Sequence, residues 1–302
     1  KKAILGSMIA QFGQYLLAEK RYSPQTVKAY KTDLLQFVDF LGYTPDEFAP
    51  CEVTHVLVRG WVVSLVKSGL APCSVNRKIA TLNSYFKYLK RAGVINKNPA
   101  AKVVHPKQPK RLPSFVSYEA TERFAHSSAD DFLSLRNLLI VELLYTSGIR
   151  SAELMGLKLE DADCQCLTLR VLGKGKKERI IPIIPSTNSL LKCYISKRED
   201  FLNGLSAPYL ILTAKGEQIY PKLVERVVKE MLKNAGVKGK RNPHVLRHTF
   251  ATHLLNNGAD LLSIKEMLGH TSVGTTQIYM HNTLEKVKTS YMKAHPRANK
   301  NS

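Results

Sequence analysis

The sequence predicts a mainly α-helical protein with one small antiparallel β-sheet. Over most of the chain, apolar residues recur at spacings of three and four, which is the periodicity of amphipathic helices. One pair of extended runs, 167–172 and 179–183, flanks the turn G-K-G-K-K, which is the pattern of a β-hairpin. A proline-rich basic segment at 103–114, V-V-H-P-K-Q-P-K-R-L-P-S, divides the chain. These three observations indicate two helical domains, with the hairpin in the second.

The predicted domains are residues 1–104 and residues 115–302, joined by a linker at 105–114. The first contains four amphipathic helices, and the prolines make the linker extended and stiff. In the second, a strongly apolar helix at about 130–147 is expected at the centre of the core. A terminal helix at 283–294 is short and is followed by a basic tail, so we expect it to be hard to bury on its own domain.

Positive charge is the main compositional feature of the chain. Lys and Arg number 45 against 24 Asp and Glu, so the formal net charge is +21 and the pI about 9.8. Both halves share the excess, which favours a polyanionic partner, DNA or RNA before an anionic membrane surface. Charged residues interrupt the most apolar runs, so no membrane-spanning helix is expected. Five scattered cysteines fit reduced thiols, and we expect a cytoplasmic, nucleoid-associated protein.

Several basic residues are candidates for contact with a nucleic acid. Lys28 and Lys31 lie off the apolar stripe of the second helix. Arg77 and Lys78 lie in the first turn of the fourth helix, where the helix dipole disfavours positive charge, so another group must hold them. A DNA backbone or base edge would do so, and a solvated charged face is the alternative. The complete set of candidates is Lys28, Lys31, Arg77, Lys78, Lys107 and Lys110.

The stretch 242–281 is interpreted as three consecutive helices that carry a reaction centre. Asn242 is a good N-cap, Pro243 suits the first helical position, and Gly258 suits the position after the helix. His244 and Arg247 are three residues apart, so they share a face near the N-terminus of the first helix. Free N–H groups and the positive end of the dipole make that place suitable for an anion such as phosphate.

Each of these residue types also has a common structural explanation. His244 and His248 have the four-residue spacing of metal ligands, but no Glu completes H-E-x-x-H and no Cys lies nearby, so no metal is predicted. Tyr279 alone would be typical of a half-buried core tyrosine. Lys174 alone would be typical of a solvated turn, and its surroundings do not match the P-loop pattern. Spacing therefore leaves the function open.

Five motifs taken together resemble the tyrosine recombinases. H-V-L-R at 244–247, L-G-H at 268–270 and Tyr279, nine residues further on, are similar to the C-terminal signature of that family. T-S-G-I-R-S-A-E-L, which contains Arg150, and G-K-G-K-K-E-R, which contains Lys174, are similar to its other two signature motifs. The longer runs around 244–260 and 268–281 resemble the Xer branch. The resemblance implies an N-terminal SAM-like domain that binds the core DNA, followed by a catalytic domain.

The resemblance also implies a reaction that needs no cofactor. Tyr279 attacks the scissile phosphate and forms a 3′-phosphotyrosyl link, and Lys174 protonates the leaving 5′-oxygen. Arg150 and Arg247 clamp the non-bridging oxygens, because guanidinium groups form paired, charge-assisted hydrogen bonds with phosphate. The six residues assigned to catalysis are Arg150, Lys174, His244, Arg247, His270 and Tyr279.

The implied partner is double-stranded DNA with a pseudo-palindromic core site, bound by a homo- or hetero-tetramer on two duplexes, with a possible activating protein. In the family the terminal helix packs into a neighbouring protomer. The resemblance favours resolution of chromosome dimers at a dif-like site. An integrase of a mobile element is the close alternative, and a strand-swivelling topoisomerase is a third. A DNA-binding protein that kept only the fold would have lost part of the catalytic set, and all six residues are present.

Overall fold

The computed structural model describes residues 5–107, 115–125, 129–173, 177–269 and 280–298. Its contacts divide the chain into two compact units, Lys1–Arg111 and Leu112–Ser302. The described parts are mainly helical with one antiparallel sheet, which confirms the predicted fold class. None of the described helices combines the length and the apolar character needed to cross a membrane.

Four helices form the N-terminal unit. They are α1 (Leu5–Ala18), α2 (Pro24–Phe40), α3 (His55–Lys67) and α4 (Pro72–Arg91). The hydroxyl of Ser23 caps α2 by accepting a hydrogen bond from the backbone N–H of Thr26 at 3.2 Å. The apolar stripes meet in one core, where the Phe37 ring lies 5.0 Å from Trp61 between ring centroids. The predicted periodicities of these helices are therefore confirmed.

The C-terminal unit contains eight helices and three strands within the described residues. The helices are α5 (Tyr118–Ala125), α6 (Phe132–Ser147), α7 (Ser151–Gly156), α8 (Pro185–Leu202), α9 (Pro221–Asn234), α10 (Pro243–Asn256), α11 (Leu261–Leu268) and α12 (Met280–Ala294). The strands are β1 (Ala162–Asp163), β2 (Thr168–Leu172) and β3 (Glu178–Pro182).

Helix α6 is the centre of this unit, as its apolar sequence predicts. From Leu138 to its end every residue is buried, and α8, α9 and α10 pack around it. It ends at Gly148, which has φ +63 and closes against α10. A Cβ at Gly148 would lie 2.4 Å from Cδ1 of Phe250, so only glycine fits both the backbone and the space.

Strands β2 and β3 form the predicted hairpin. They pair antiparallel with Leu169 opposite Ile181, and both of these side chains are buried. Strand β1 was not predicted. It has only two residues, too few to show an alternating pattern, and it exists because Ala162 and Asp163 pair with β2.

The end of the chain packs within its own unit, so the expectation that it is hard to bury there is wrong. Tyr291 on α12 is buried and donates a hydrogen bond to the carbonyl of Thr146 at 2.8 Å. Arg297 follows α12 and donates to Glu142 at 2.6 Å and to Glu122 at 3.1 Å. Its guanidinium also lies 4.9 Å from the ring centroid of Tyr145. Ion pairs and aromatic contacts therefore bury a segment that its sequence marks as polar.

Candidate active site

Arg150 enters the site at the start of α7. Its side chain is 38% exposed, and Nη1 donates to Oε1 of Glu153 at 2.8 Å. Its backbone N–H donates to the other carboxylate oxygen of Glu153, also at 2.8 Å. Glu153 therefore fixes both the backbone and one edge of the guanidinium, while the described residues offer no partner to Nε and Nη2.

Arg179, on β3, binds the same carboxylate from the other side. Nη1 donates to Oε1 of Glu153 at 3.0 Å and Nη2 to Oε2 at 2.8 Å, which makes a bidentate ion pair. Nε donates to the carbonyl of Met267, near the end of α11, at 2.9 Å. The Glu153 side chain is 5% exposed, and burial alone would raise its pKa. Hydrogen bonds from Arg179 and Arg150 outweigh that effect, so the pKa lies below its usual value and the carboxylate is ionised.

The sequence analysis did not single out Glu153 or Arg179. Both lie in motifs that were recognised, Glu153 in S-G-I-R-S-A-E-L and Arg179 at the end of G-K-G-K-K-E-R. The three-residue spacing of Arg150 and Glu153 is a usable signal, since side chains so spaced meet at the first turn of a helix. The pairing of Glu153 with Arg179 has no such local signal.

Arg247 lies on α10, where Asn242 caps the helix by accepting a hydrogen bond from the N–H of Val245 at 3.1 Å. This cap confirms the predicted start of the helix. Arg247 donates to the carbonyl of Gly148 and to that of Leu268, each at 2.5 Å. Burial and the charges of Arg150 and Arg179 lower the pKa of Arg247, Glu153 partly opposes them, and together they bring the pKa to about 10.

The balance of charge in this cluster points to an anionic ligand. Arg150, Arg179 and Arg247 are three positive charges around the single carboxylate of Glu153. Neutral carbonyls hold Arg247, so its charge has no direct counter-ion among the described residues. The lowered pKa of Arg247 reflects burial and neighbouring positive charge that the Glu153 carboxylate offsets only in part, and a cluster of this kind suits an anionic ligand.

His244 is exposed on the first turn of α10, one turn before Arg247. The structure thus brings Arg150, Arg247 and the N-terminus of α10 to one region of the unit. Lys174, His270 and Tyr279 lie outside the described residues. Among the described residues, no group of three or more His, Cys, Asp and Glu could hold a metal ion.

Two glycines mark where the undescribed catalytic candidates join the described chain. Gly173 directly precedes Lys174, and its N–H donates to the carbonyl of Lys177 at 2.8 Å, which closes the hairpin. A Cβ on Gly173 would lie 3.3 Å from Nη1 of Arg179. Gly269 directly precedes His270, and a Cβ there would lie 3.1 Å from the same guanidinium. Both glycines therefore lie against Arg179.

The DNA-contact candidates of the N-terminal unit differ in their exposure. Lys28 and Lys31 are exposed on α2, and Lys107 is exposed in the predicted linker, whereas Lys110 lies outside the described residues. Arg77 on α4 is 46% exposed and makes an ion pair with Asp33.

Lys78 is not at the surface, so the structure does not support its selection as a DNA contact. Its side chain is 7% exposed, and Nζ donates to Asp33 at 2.8 Å and to Gln36. The physical reason is the buried carboxylate of Asp33, 1% exposed, because a buried acidic side chain is stable only with hydrogen-bonded partners of opposite charge.

Comparison with known proteins gives the family of the chain. Residues 115–286 match the phage integrase family, and residues 9–93 match the phage integrase N-terminal SAM-like domain. A relative from Chlorobaculum tepidum with the name tyrosine recombinase XerC is 36% identical over 317 residues, covering 96% of this chain and 94% of the relative. Another of that name, from Thermodesulfovibrio yellowstonii, is 38% identical, covering 95% and 96%.

The chain belongs to the phage integrase family of tyrosine recombinases. The resemblance to the Xer branch is confirmed by these relatives. A solved structure of XerH site-specific recombinase bound to a palindromic difH substrate shares the fold, with a TM-score of 0.70 and 23% identity over 93% of this chain and 83% of that one. The Tn1549 transposon integrase in complex with transposon right end DNA also shares it, with a TM-score of 0.69 and 20% identity over 92% and 94%. The protein is an enzyme of site-specific recombination.

Proposed function

We propose that this recombinase cleaves and rejoins DNA at a dif-like site and resolves chromosome dimers through a 3′-phosphotyrosyl intermediate. The observation that carries the chemistry is the arginine cluster around Glu153. Its three guanidiniums and one carboxylate leave an excess of two positive charges, which complements the charge of a phosphodiester under attack.

Arg150 and Arg247 are the groups that bind the scissile phosphate. In Arg150 the N–H groups that Glu153 does not hold are free to bind one non-bridging oxygen. Arg247 is fixed by two carbonyls and presents its remaining N–H groups to the other oxygen. Stabilising the charge of the pentacoordinate transition state is the largest contribution, and losing one such donor slows a reaction about 10²–10³-fold.

The covalent step exchanges one P–O bond for another. The phenolic oxygen of Tyr279 attacks phosphorus and loses its proton with the help of His244, while the bond from phosphorus to the 5′-oxygen breaks. Lys174 donates a proton to that oxygen, a contribution of about 10²–10⁴-fold, and His270 donates a hydrogen bond to the phosphate. A 5′-hydroxyl from another strand reverses the step, so no external energy source is needed.

The proposed partner is double-stranded DNA with a pseudo-palindromic core site, bound by a tetramer on two duplexes. The net charge of +21 and the exposed Lys28, Lys31, Arg77 and Lys107 support a DNA partner. A symmetric assembly requires symmetric half-sites. We place the enzyme in the cytoplasm with the nucleoid, where such sites are found, and a partner recombinase or activator belongs to the same proposal.

An integrase of a mobile element is the second candidate, because the Tn1549 transposon integrase has the same fold over nearly the whole chain. Its chemistry would be the same and its DNA site different. The relatives named XerC, at 35–38% identity, favour the chromosomal role.

Covalent trapping on nicked DNA tests the proposal. Duplexes with a dif-like site and duplexes with transposon ends are each incubated with the enzyme and with Tyr279→Phe. A denaturation-resistant adduct on the dif-like site, absent in the variant, is the expected result. An adduct only on transposon ends would support the integrase, and an adduct that persists in Tyr279→Phe would contradict the assignment of the nucleophile.

A second experiment tests the general acid. A 5′-thiol leaves without protonation, so a substrate with sulfur at the scissile 5′ position should restore cleavage to Lys174→Ala. If Lys174→Ala stays equally slow on this substrate, Lys174 is not the acid, and the neighbouring Lys176 and Lys177 become the candidates.

A further inference from the structure

Arg179 is the third arginine of the cluster and has no place in the mechanism above. Its side chain is 14% exposed, and all three guanidinium nitrogens bind protein groups. Nη1 and Nη2 hold the two oxygens of Glu153, and Nε holds the carbonyl of Met267. These bonds leave its guanidinium facing inward, so Arg179 does not serve as a phosphate ligand.

Arg179 binds Glu153 and the end of α11, and each of these also contacts one of the two arginines, Arg150 and Arg247, that we propose bind phosphate. Glu153, on one side, receives the Nη1 of Arg150 and its backbone N–H. The carbonyl of Met267, on the other side, is adjacent in the chain to that of Leu268, which receives Nη2 of Arg247 at 2.5 Å. One planar guanidinium thus links α7, β3 and the end of α11.

We propose that Arg179 is a positioning residue for strand cleavage, which fixes Glu153 and the end of α11 so that Arg150 and Arg247 meet the same phosphate. The inference rests on the proposed function. A carboxylate shared between two arginines neutralises neither completely, so Arg150 is oriented and still keeps charge for its ligand. Without Arg179, the whole charge of Glu153 would be directed at Arg150, and the end of α11 would lose its link to β3.

The geometry of a guanidinium is essential to this role. The ammonium of a lysine is a point charge on a flexible stem, so it cannot span both oxygens of Glu153 and the carbonyl of Met267 together. Arg179→Lys should therefore keep the charge and lose the alignment.

The experiment measures the rate of adduct formation on the nicked site for Arg179→Ala and Arg179→Lys. A displacement of about 1 Å in the phosphate ligands predicts a loss of about 10- to 100-fold in both variants. Arg170→Ala is the matched control, since Arg170 lies on the same hairpin and pairs with Asp161 at the surface, at 2.9 Å. It should cleave like the unchanged enzyme. Thermal unfolding is recorded for every variant, and Arg179→Lys provides the comparison if Arg179→Ala is poorly folded.

A modified phosphate separates positioning of the arginines from a general structural role. In a scissile methylphosphonate a methyl group replaces one non-bridging oxygen, so the ground state is neutral and the pentacoordinate transition state carries one negative charge less than with a phosphodiester. If Arg179 acts through Arg150 and Arg247, its substitution matters less there, and the rate ratio of unchanged enzyme to variant should fall to about threefold or less. On the 5′-thiol substrate the ratio should stay as large as on ordinary DNA.

Several results would overturn the inference. A ratio that stays constant on the methylphosphonate would indicate general damage, and a ratio that falls on the 5′-thiol would indicate action through the hairpin and its lysine. Full activity in Arg179→Lys would show that charge alone suffices. If the unchanged enzyme forms no adduct on any site, the proposed function fails; if only the variants behave unexpectedly, only the inference fails.

Discussion

Two arginine clusters in the same unit differ in the ratio of guanidiniums to carboxylates. Around Glu153, two arginines share one carboxylate, a third, Arg247, binds only backbone carbonyls, and Arg150 is partly open to solvent. At the end of the chain, one arginine, Arg297, binds both Glu122 and Glu142 and is 6% exposed. Two rings complete the second cluster, with the guanidinium 5.1 Å from the ring centroid of Phe124 and 4.9 Å from that of Tyr145.

The difference shows how charge balance separates a binding site from a structural anchor. In the terminal cluster, Arg297 binds two carboxylates and two aromatic rings, and these contacts hold the terminal segment against its own unit. Within the described residues the Glu153 cluster keeps an excess of positive charge, which suits it to an anionic ligand. The side chains are of the same type, and their surroundings determine the role.

The sharpest test of the terminal cluster is Arg297→Ala. Removing Arg297 takes the guanidinium away from the buried carboxylate of Glu142 and the partly buried carboxylate of Glu122, so the free energy of unfolding should fall by about 3–5 kcal/mol. Denaturant titration monitored by circular dichroism measures this change in the free energy of unfolding. Lys293→Ala, which changes an exposed basic residue of the same segment, is the control and should change the free energy by no more than about 0.5 kcal/mol. Similar small losses in both variants would contradict the structural role.

Arg150→Ala should show the opposite behaviour. Cleavage should slow about 10²–10³-fold, because a donor to the phosphate is lost. The free energy of unfolding should change by about 1 kcal/mol or less, because Arg150 is partly exposed to solvent and Arg179 still holds the carboxylate of Glu153. Single-turnover cleavage and denaturant titration give the two values. A large loss of stability with normal cleavage would reverse the roles of the two clusters.

The stability that the ionised carboxylate of Glu153 contributes should be lost at acidic pH. The pKa of Glu153 is lower in the folded protein than in the unfolded chain, so its stabilisation is complete above pH 4.5 and is lost as the pH falls through the folded value. At neutral pH, Glu153→Gln should cost about 1.5–3 kcal/mol of stability. The difference in the free energy of unfolding between the unchanged protein and Glu153→Gln should narrow below pH 4.5. A difference that is constant from pH 7 to pH 3 would show that the carboxylate is not the titrating group.

The smallest predicted effect concerns the groove between α2 and α4, where Lys28 is exposed and Lys78 is buried. Lys28→Ala should reduce by about one the slope of the logarithm of DNA affinity against the logarithm of salt concentration. Lys78→Met should leave that slope unchanged, because its ammonium already binds Asp33 at 2.8 Å. Fluorescence anisotropy with a labelled half-site measures both slopes. A reduced slope in Lys78→Met would restore Lys78 as a phosphate contact.

Features that depend on neighbouring residues in the chain could be predicted from the sequence. Helical periodicity, the Asn242 cap, the hairpin around G-K-G-K-K and the motifs of the family are all local patterns, because helices and hairpins are formed by residues close in sequence. Those patterns predicted the fold class and the family, and they selected Arg150 and Arg247, whose charges are close enough in the structure to interact.

Which charged side chains pair with one another depends on the tertiary packing of the described residues. Lys78 meets Asp33 across 45 residues, Arg179 meets Glu153 across 26 and Met267 across 88, and Arg297 meets Glu142 across 155. Such contacts depend on how the helices pack, and no local pattern encodes them. A lysine predicted to contact DNA is therefore buried, a terminal segment predicted to be hard to bury on its own domain packs into it, and Arg179, which no local pattern singled out, links Glu153 to the end of α11.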